Sequence, residues 1–474
     1  MTKISHLICS AALALSLSGC STFDLGSRFD LGTAPSDALQ SEVAALSAPA
    51  SWVLGQQADG ELAQRWADVV SDPLLDEYIE RALQNNPSLR ASAENVARSE
   101  AIVTQAKSAR LPLIGADVSS NGGGALEGRN FADNYSAGLS ASWEADLWGG
   151  IDAGILGSEY DLEATRAVYE NARQALIAAV ARAYVAVIES DLLVALSEQT
   201  LAAQEETYRI VNVRYELGAA SRRELVLAES DVANAQDNLV ITKANKRTAA
   251  LSLEALLGEY PNADIAVAAN FPDLLPLFET GTPTEMLRRR PDVVASEFAV
   301  LSAFQATRGA RSDGWPSLNL SGGIDTGSGN ITDLLDPISI FYSLGSRLAD
   351  VLFDGGLTQA RIDVASAGQR QALADYGQTA LDAYFDVETA LNDIRTLSER
   401  APYVSRNAET ARETLRLSEI QYKEGAVDLL DVLTFRQRSF QADSVEITLR
   451  GQIIDARIAL YLALGGTANS LSSL

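Results

Sequence analysis

The sequence predicts an α+β membrane protein made of two internal structural repeats, with four strands and long coiled-coil helices in each chain. Three observations lead there: the second half echoes the first, some runs alternate strictly between polar and apolar residues, and the helix lengths match one another. The echo is the strongest of the three. Pro87 and Pro112 recur 204 residues later as Pro291 and Pro316, and Gly149-Gly150 recurs at offset 206 as Gly355-Gly356. Tyr215 and Gly218 recur at offset 207 as Tyr422 and Gly425, and Gly258 recurs as Gly465. Residues 73–260 and 283–467 therefore read as two copies of one unit, in the order helix, strand, strand, long helix, helix. A Pro-rich connector, 261–282, joins them at the equatorial level of the rod, and 468–474 form a tail.

At the amino terminus, MTKISHLICSAALALSLSGC carries Lys3, an apolar run from Leu7 to Leu17 and then small residues. This is the pattern of a secretory signal, too short to span a membrane. Its end, LSGC, resembles the bacterial lipobox, which makes residues 1–19 a lipoprotein signal peptide and Cys20 the acylated first residue of the mature chain. Ser21 follows rather than aspartate, which favours the outer membrane of a Gram-negative cell. Residues 20–72 are expected to be an extended, lipidated segment wrapped on the surface.

Within each unit a helix of about 25 residues (Pro87 to Leu111; Pro291 to Arg311) stops before a proline, which disfavours helix in the residue ahead of it. Two strand-like runs follow, separated by a loop. In YSAGLSASWEADL the odd positions from Tyr135 to Leu147 are apolar and the residues between are polar or glycine. Such alternation makes a strand with one wet and one greasy face. SLNLSGGI and ISIFYSLG continue the style, at lengths suited to transmembrane strands of about 9–11 residues. Trp143, Trp148, Trp315 and Phe353 fall where strands meet helices, as an interfacial aromatic girdle would. GGGALEGRN and GSGNITDLLDP are expected to be short extracellular turns.

A helical pattern then runs from Gly149 to Leu217, and again from Gly355 to Glu424, about 100 Å each at about 1.5 Å per residue. The flanking helices, about 25 and 37 residues, sum to nearly the same length, so two shorter helices stacked end to end fit antiparallel beside each long one. Leu176, Val180, Ala183, Val187 and Val194 step by three, four and seven, as in coiled-coil packing. Four strands cannot close a barrel, and an open strand edge is not tolerated in lipid. The chain is therefore expected to assemble with copies of itself. Three copies would supply 12 strands, an even number within the range of known outer-membrane barrels.

Composition excludes much chemistry. His6 and Cys9 leave with the signal, so the mature chain has no histidine and one cysteine. Disulfides, His-containing triads and Cys/His zinc sites are out. Carboxylate pairs survive this filter, and YKEGAVDLLDVL offers one: Asp428 and Asp431, three apart and so expected on one helical face. The net charge of −26, or −27 without Lys3, makes nucleic acid a poor partner. No cofactor is called for beyond the covalent lipid on Cys20. Arg288 to Arg290 are expected to cap a helix end and face water.

RRPDVVASEFAVLSA, PSLNLSGG, LFDGGLTQARIDVA and QYKEGAVDLLDVLTFRQRS together resemble the outer-membrane efflux protein family, the TolC-like channels, over residues 60–467. The lipobox places the chain nearest the lipoprotein branch that serves RND-type pumps. The resemblance implies a homotrimer with a 12-stranded outer-membrane barrel, continuous with a long periplasmic α-helical barrel. The closed distal end of that barrel docks a periplasmic adaptor (membrane fusion) protein and an inner-membrane RND-type transporter. It further implies a passive duct for drugs or other small toxic compounds, with metal-ion efflux or type I protein secretion as alternatives. Gly218 and Gly425 match the hairpin tips, Tyr422 an aromatic that helps lock the closed tip, and Asp431 a pore-facing acid at the periplasmic constriction. Glu224 takes the equivalent place on the first hairpin, while Asp428 is a position often acidic in the family. ELGAA and KEGAV, including Ala219 and Ala426 with Arg222 and Arg223 nearby, match adaptor contacts. The sequence departs from the family at Trp315 and at Phe435-Arg436, where Ala-Gln is common. Acids ringed at a constriction would favour cations and raise one another's pKa. Two rivals stay open: a lipid-anchored carboxylate hydrolase, and a structural coiled-coil lipoprotein without a channel.

Overall fold

Why the helices begin and end where they do is written in a few capping residues. In a computed structural model describing residues 34–54, 72–123, 132–273, 280–336 and 340–466, α1 (Pro35–Ala45), α2 (Pro73–Asn85) and α3 (Pro87–Ser108) each start on a proline. Proline suits the first helical turn, where its missing N–H would have no partner. Asp72 caps α2 by accepting the Leu74 N–H, and Asn86 both ends α2 and caps α3. After β1 (Leu113–Gly123) and β2 (Ala132–Ala145) come α4 (Gly150–Glu216) and α5 (Arg222–Leu256). The second half runs α6 (Pro283–Leu287), α7 (Pro291–Ser312), β3 (Ser317–Ser328), β4 (Ile340–Ala349), α8 (Leu357–Lys423) and α9 (Leu429–Ala463). Corresponding helices agree in length: 22 residues for α3 and α7, 67 for α4 and α8, 35 for α5 and α9.

α3 and α5 lie along α4, and α7 and α9 along α8. The stacking point is marked twice by the same device. Gly258 (φ 74°), just past α5, faces the Asn85 carbonyl, where a Cβ would sit 2.6 Å from the oxygen. Gly465 (φ 87°), past α9, meets the Arg289–Arg290 backbone, where a Cβ would sit 2.9 Å from the Arg290 nitrogen. Asn86 Nδ2 donates to the Leu256 carbonyl at 2.9 Å, and its counterpart Arg290 donates from Nη1 to the Ala463 carbonyl at 3.2 Å. Orphan carbonyls at two helix ends are thereby satisfied by the neighbouring helix junction.

This corrects the expectation for the arginine triplet. Arg288 is exposed, but Arg289 is half-buried and donates to the Leu464 carbonyl, while Arg290 is buried. Arg290 pairs with Asp292 (2.6 Å) and Asp386 (3.0 Å). They do cap a helix end, but one reached through tertiary contact, so two of the three turn from water. The amino-terminal segment is a second correction. Of 20–72, the described part is helical over α1 rather than extended, because Ala38 and Leu39 bury against the bundle. Trp52 packs edge-on against Tyr384, and the Val53 and Leu54 amides donate to the Glu388 carboxylate.

The main core lies at this equatorial level, with Leu75, Tyr184, Ile188, Leu253, Met286, Val387 and Ile458 all buried. Tyr184 donates to Asp72 at 2.7 Å and accepts from the Ala268 amide of the connector. Val180, Val187 and Val194 are buried, and Leu176 and Ala183 are partly buried, as the coiled-coil stepping requires. α8 runs through Pro402 without ending. Pro402 and Ser398, whose carbonyl loses its helical donor, are both exposed, so water can serve that oxygen.

β1 to β4 form one antiparallel sheet in sequence order, with β1 and β4 at its edges. Register sorts the residues cleanly onto two faces. One carries the rows Ile114–Ala141–Gly322–Leu344, Ala116–Leu139–Ile324–Tyr342 and Trp143–Leu320–Ser346. The other carries Gly115–Ser140–Gly323–Ser343, Asp117–Gly138–Asp325–Phe341 and Glu144–Asn319–Arg347. The β3–β4 loop includes a short 3₁₀ turn, Ile331–Leu335; most of the GGGALEGRN loop lies outside the described residues, as do Cys20 and the tail from 467.

Candidate functional site

Two matched turns close the rod at the end away from the sheet. Two residues past the end of α4 lies Gly218 (φ 72°), and two past α8 lies Gly425 (φ 76°), a left-handed conformation natural to glycine. The Ala219 amide bonds back to the Arg214 carbonyl at 2.7 Å, and the Ala426 amide to the Gln421 carbonyl at 2.9 Å. Ala219, Ala426, Arg222 and Arg223 are all exposed at these tips.

The return helices start differently. α5 has a full capping box: Ser221 Oγ accepts the Glu224 N–H, and Glu224 Oε2 accepts the Ser221 N–H at 2.7 Å. α9 has half of one: Asp428 accepts the Asp431 N–H at 3.1 Å, and no bond returns. The aspartate at 431 is one methylene shorter than the glutamate at 224. Asp428 thus lies just outside the helix, one carboxylate oxygen engaged by the cap, so the two acids do not form a like pair on one helical face. Glu224 and Asp431 hold the same position in their helices but not the same state: Glu224 is half-buried and bonded, Asp431 exposed.

Charge crowding is outweighed within one chain. The Ser221 N–H holds the Glu224 carboxyl below the usual carboxylate range, aided by the Ser221 hydroxyl and Arg223 and opposed by burial and, more weakly, by Asp428. Asp428 does push the Glu224 carboxyl upward, as neighbouring acids should, but the cap bonds to its ionised form outweigh that push.

The two hairpins pack at the tip. Val211 and Ala228 of the first bury against Leu429 and Leu433 of the second, with Tyr422 at the margin. The Arg214 guanidinium carbon lies 4.9 Å from the Tyr422 ring centroid, a cation–π contact between α4 and α8. Two turns into α9, Arg436 is buried at 7 % exposure. Its Nη1 reaches the Ala203 carbonyl (3.2 Å), Gln204 Oε1 (3.0 Å) and Thr207 Oγ1 (2.8 Å) of α4, and its Nη2 reaches Glu419 of α8 at 2.7 Å. The sequence marked position 436 only as a departure; a charged residue amid Leu429, Val432, Leu433 and Ser439 was the available signal, but its partners lie up to 233 residues away.

At the other end Trp148 stacks on Trp315 (5.0 Å between centroids) and donates to the Pro316 carbonyl, and Trp143 donates to the Arg110 carbonyl. Phe353 is 89 % exposed. Among the described residues no helix is long and apolar enough to cross a membrane, and no His/Cys/Asp/Glu group of three or more could hold a metal ion.

Comparison with known proteins fits this geometry. The outer membrane efflux protein family model matches residues 78–259 and 282–466, one stretch in each half. The pyoverdine export outer membrane protein OpmQ of Pseudomonas putida is 30% identical over 478 residues, covering 98% of both chains. OpmQ of Pseudomonas aeruginosa is 29% identical over 436 residues, covering 89% of this chain and 91% of its own. Among solved structures, the open state of the Neisseria gonorrhoeae MtrE outer membrane channel superposes with a TM-score of 0.82 at 25% identity, covering 88% of this chain and 95% of that one. With both halves matched and the same strand-and-rod architecture, this chain belongs to the outer membrane efflux protein family.

Proposed function

We propose that the chain is the outer-membrane channel of a tripartite efflux system, passively conducting small compounds from an inner-membrane RND-type pump and a periplasmic adaptor to the outside. The observation that carries this reading is the four-stranded sheet with one apolar and one polar face, edges open at β1 and β4, at the end of helices about 100 Å long. Three copies would join these edges into a 12-stranded barrel, apolar face to lipid and polar face to the lumen, and continue it as a periplasmic helical barrel. Duplication of one unit supplies two hairpins per chain, hence six tips per trimer, with Gly218, Ala219, Arg222, Arg223, Gly425 and Ala426 turned toward the adaptor. Asp431, whose carboxylate is exposed, is the leading acid for the constriction. Glu224 and Asp428, engaged in caps, contribute field more than free charge, and Tyr422 helps hold the tip.

A lipid on Cys20 is consistent with this arrangement. Thirteen residues, or fourteen Cα–Cα steps, separate Cys20 from Ala34, a reach of up to about 50 Å. Gly377, which Glu42 of α1 contacts, lies twenty residues along α8, about 30 Å from the sheet end. No other cofactor is proposed. For the cargo, small organic molecules are favoured over metal ions, since identity to the pyoverdine-export relatives (29–30%) exceeds that to the cation efflux protein CusC (25%).

The test is electrical. In planar bilayers the channel is expected to be cation-selective, and Asp431→Ala to weaken that selectivity; unchanged selectivity and conductance would remove Asp431 from the constriction. Detergent-requiring, heat-modifiable trimers are expected on extraction, whereas release after removal of the lipid anchor would indicate a rod without a channel.

A further inference from the structure

The two open edges of the sheet carry one charged residue each: Asp117 in β1 (LIGADVSSNGG) and Arg347 in β4 (IFYSLGSRLA). Both are exposed, and both stand on the polar face. Neither has a hydrogen bond or ion pair among the described residues. Asp117 instead meets a like charge. Gly138 separates it from Asp325 in one row, and a Cβ at Gly138 would collide with Asp325 Oδ1 and come 3.3 Å from Asp117 Oδ1. Two carboxylates therefore lean over one glycine, a crowding that cross-strand neighbours disfavour. Arg347 of the same chain is out of reach. Phe341 ends that row on β4, and Arg347 lies six residues further on, about 20 Å toward the rod.

The sheet is skewed in a way that fixes how copies can join. Ile340 stands in the row of Val118, from which β1 runs five residues further outward, to Gly123. Gly345 stands in the row of Leu113, from which β4 runs four further toward the rod, to Ala349. A closed 12-stranded barrel needs a stagger as well. Four strand spacings of about 4.8 Å, at a tilt of about 35–45°, displace the ladder by about 13–19 Å, or about four to six residues. The number must be even, since an odd slip would turn lumen side chains to lipid. A stagger of four in the sense of the skew sets Ala349 against Leu113 and Ile340 against Gly122 of the next copy, pairing all ten residues of β4. The opposite sense would leave both edges almost bare, which lipid does not tolerate.

We propose that Arg347 of each copy reaches Asp117 of the next across this seam, on the lumen side. Three Arg–Asp pairs then set the register of the closing strands and supply the cation that the Asp117–Asp325 pair lacks. At a stagger of six, Arg347 stands directly opposite Asp117. At four it stands opposite Gly115, and Asp117 is the diagonal neighbour, about 7–8 Å away and within reach of a long side chain. The site is complete only in the assembled barrel. The pairing rests on the trimeric-barrel reading of the duct, and trimers of the native chain are the control that keeps the two apart.

Cysteine cross-linking in the full chain reads the register. Ser343→Cys with Ser119→Cys (stagger four) or with Asn121→Cys (stagger six) is expected to link one copy to the next on oxidation, and Ser343→Cys with Gly115→Cys, the pair for no stagger, is not. A chain without introduced cysteines gives the background from Cys20. Heating the SDS-resistant trimer until it dissociates on gels reads the ion pair. Arg347→Met and Asp117→Asn are each expected to lower the dissociation midpoint, and the double variant to fall no lower than the worse single. The cross-links use the charge-intact chain, so they decide the register whether or not the neutral variants assemble. Absence of native trimers would sink the barrel reading and this pairing with it. Native trimers that cross-link through Gly115→Cys or through none of the three pairs, single variants with the native midpoint, or losses that add in the double variant would overturn the pairing and leave the duct intact.

Discussion

Glu189 shows how much one side chain can matter along a helical seam. It projects from α4 over Gly451 of α9, where a Cβ would come within 2.5 Å of its carboxylate, and among the described residues it accepts only the Thr448 hydroxyl. Burial raises its pKa, opposed by the Thr448 bond. A carboxyl raised on folding favours the protonated form in the native state. Its ionisation therefore removes stability as pH rises from the unfolded value of about 4.3 through the folded one, and the deficit persists at neutral pH. Glu189→Gln keeps an acceptor for Thr448 without the charge. It is expected to raise the thermal midpoint at pH 7, with the gain shrinking as pH falls toward 4, measured by circular dichroism melts at both pH values. A midpoint at pH 7 no higher than native would show that the charge is not a burden there.

At the scale of elements, the two hairpins match in helix length but differ in their caps. The Ser221–Glu224 box closes both halves of its exchange, and Asp428 closes one. Ser221→Ala removes an N-cap contribution of about 1 kcal/mol, so amide exchange at Glu224 and Leu225 is expected to quicken about fivefold, with α9 unaffected. The pH dependence has the opposite sign to that of Glu189. The Glu224 carboxyl is depressed, so its contribution is complete above the unfolded value of about 4.3 and is lost as pH falls through the folded value. Exchange protection in the first turn of α5 should therefore fail on acidification and stay level between pH 6 and 8. The elements themselves were largely legible: Gly218, Gly258, Gly425 and Gly465 mark helix ends because the chain must turn left-handed there, a local demand. The caps were less so, since whether an acid at the third helical position reaches back depends on one methylene.

For the whole molecule the two-faced sheet is decisive. Leu344 stands 85 % exposed on the apolar face, in one row with Ile114, Ala141 and Gly322. If that face meets lipid, Leu344→Arg costs about 2–4 kcal/mol at the bilayer midplane. Heat-modifiable trimers recovered from outer membranes should then fall sharply. Ser343→Arg, one residue away on the polar face, should assemble normally. Equal yields from the two variants would break the assignment of faces.

The sequence by itself determined the repeat, the alternation of the strands, the paired turns and the matched helix lengths, because each follows from a local rule: a proline start, a left-handed glycine, a period of two or of three and a half. Only the tertiary structure decided what the buried charges do. Arg290 reads as a surface cation and Arg436 only as a departure from a family pattern until helices 173 and 233 residues away in sequence bring carbonyls and hydroxyls to them. α1, too, packs as a helix against α7 and α8, burying Ala38 and Leu39, the latter in the main core. A buried guanidinium is tolerable only where the whole fold has placed its acceptors, and no pattern of neighbours along the chain encodes that.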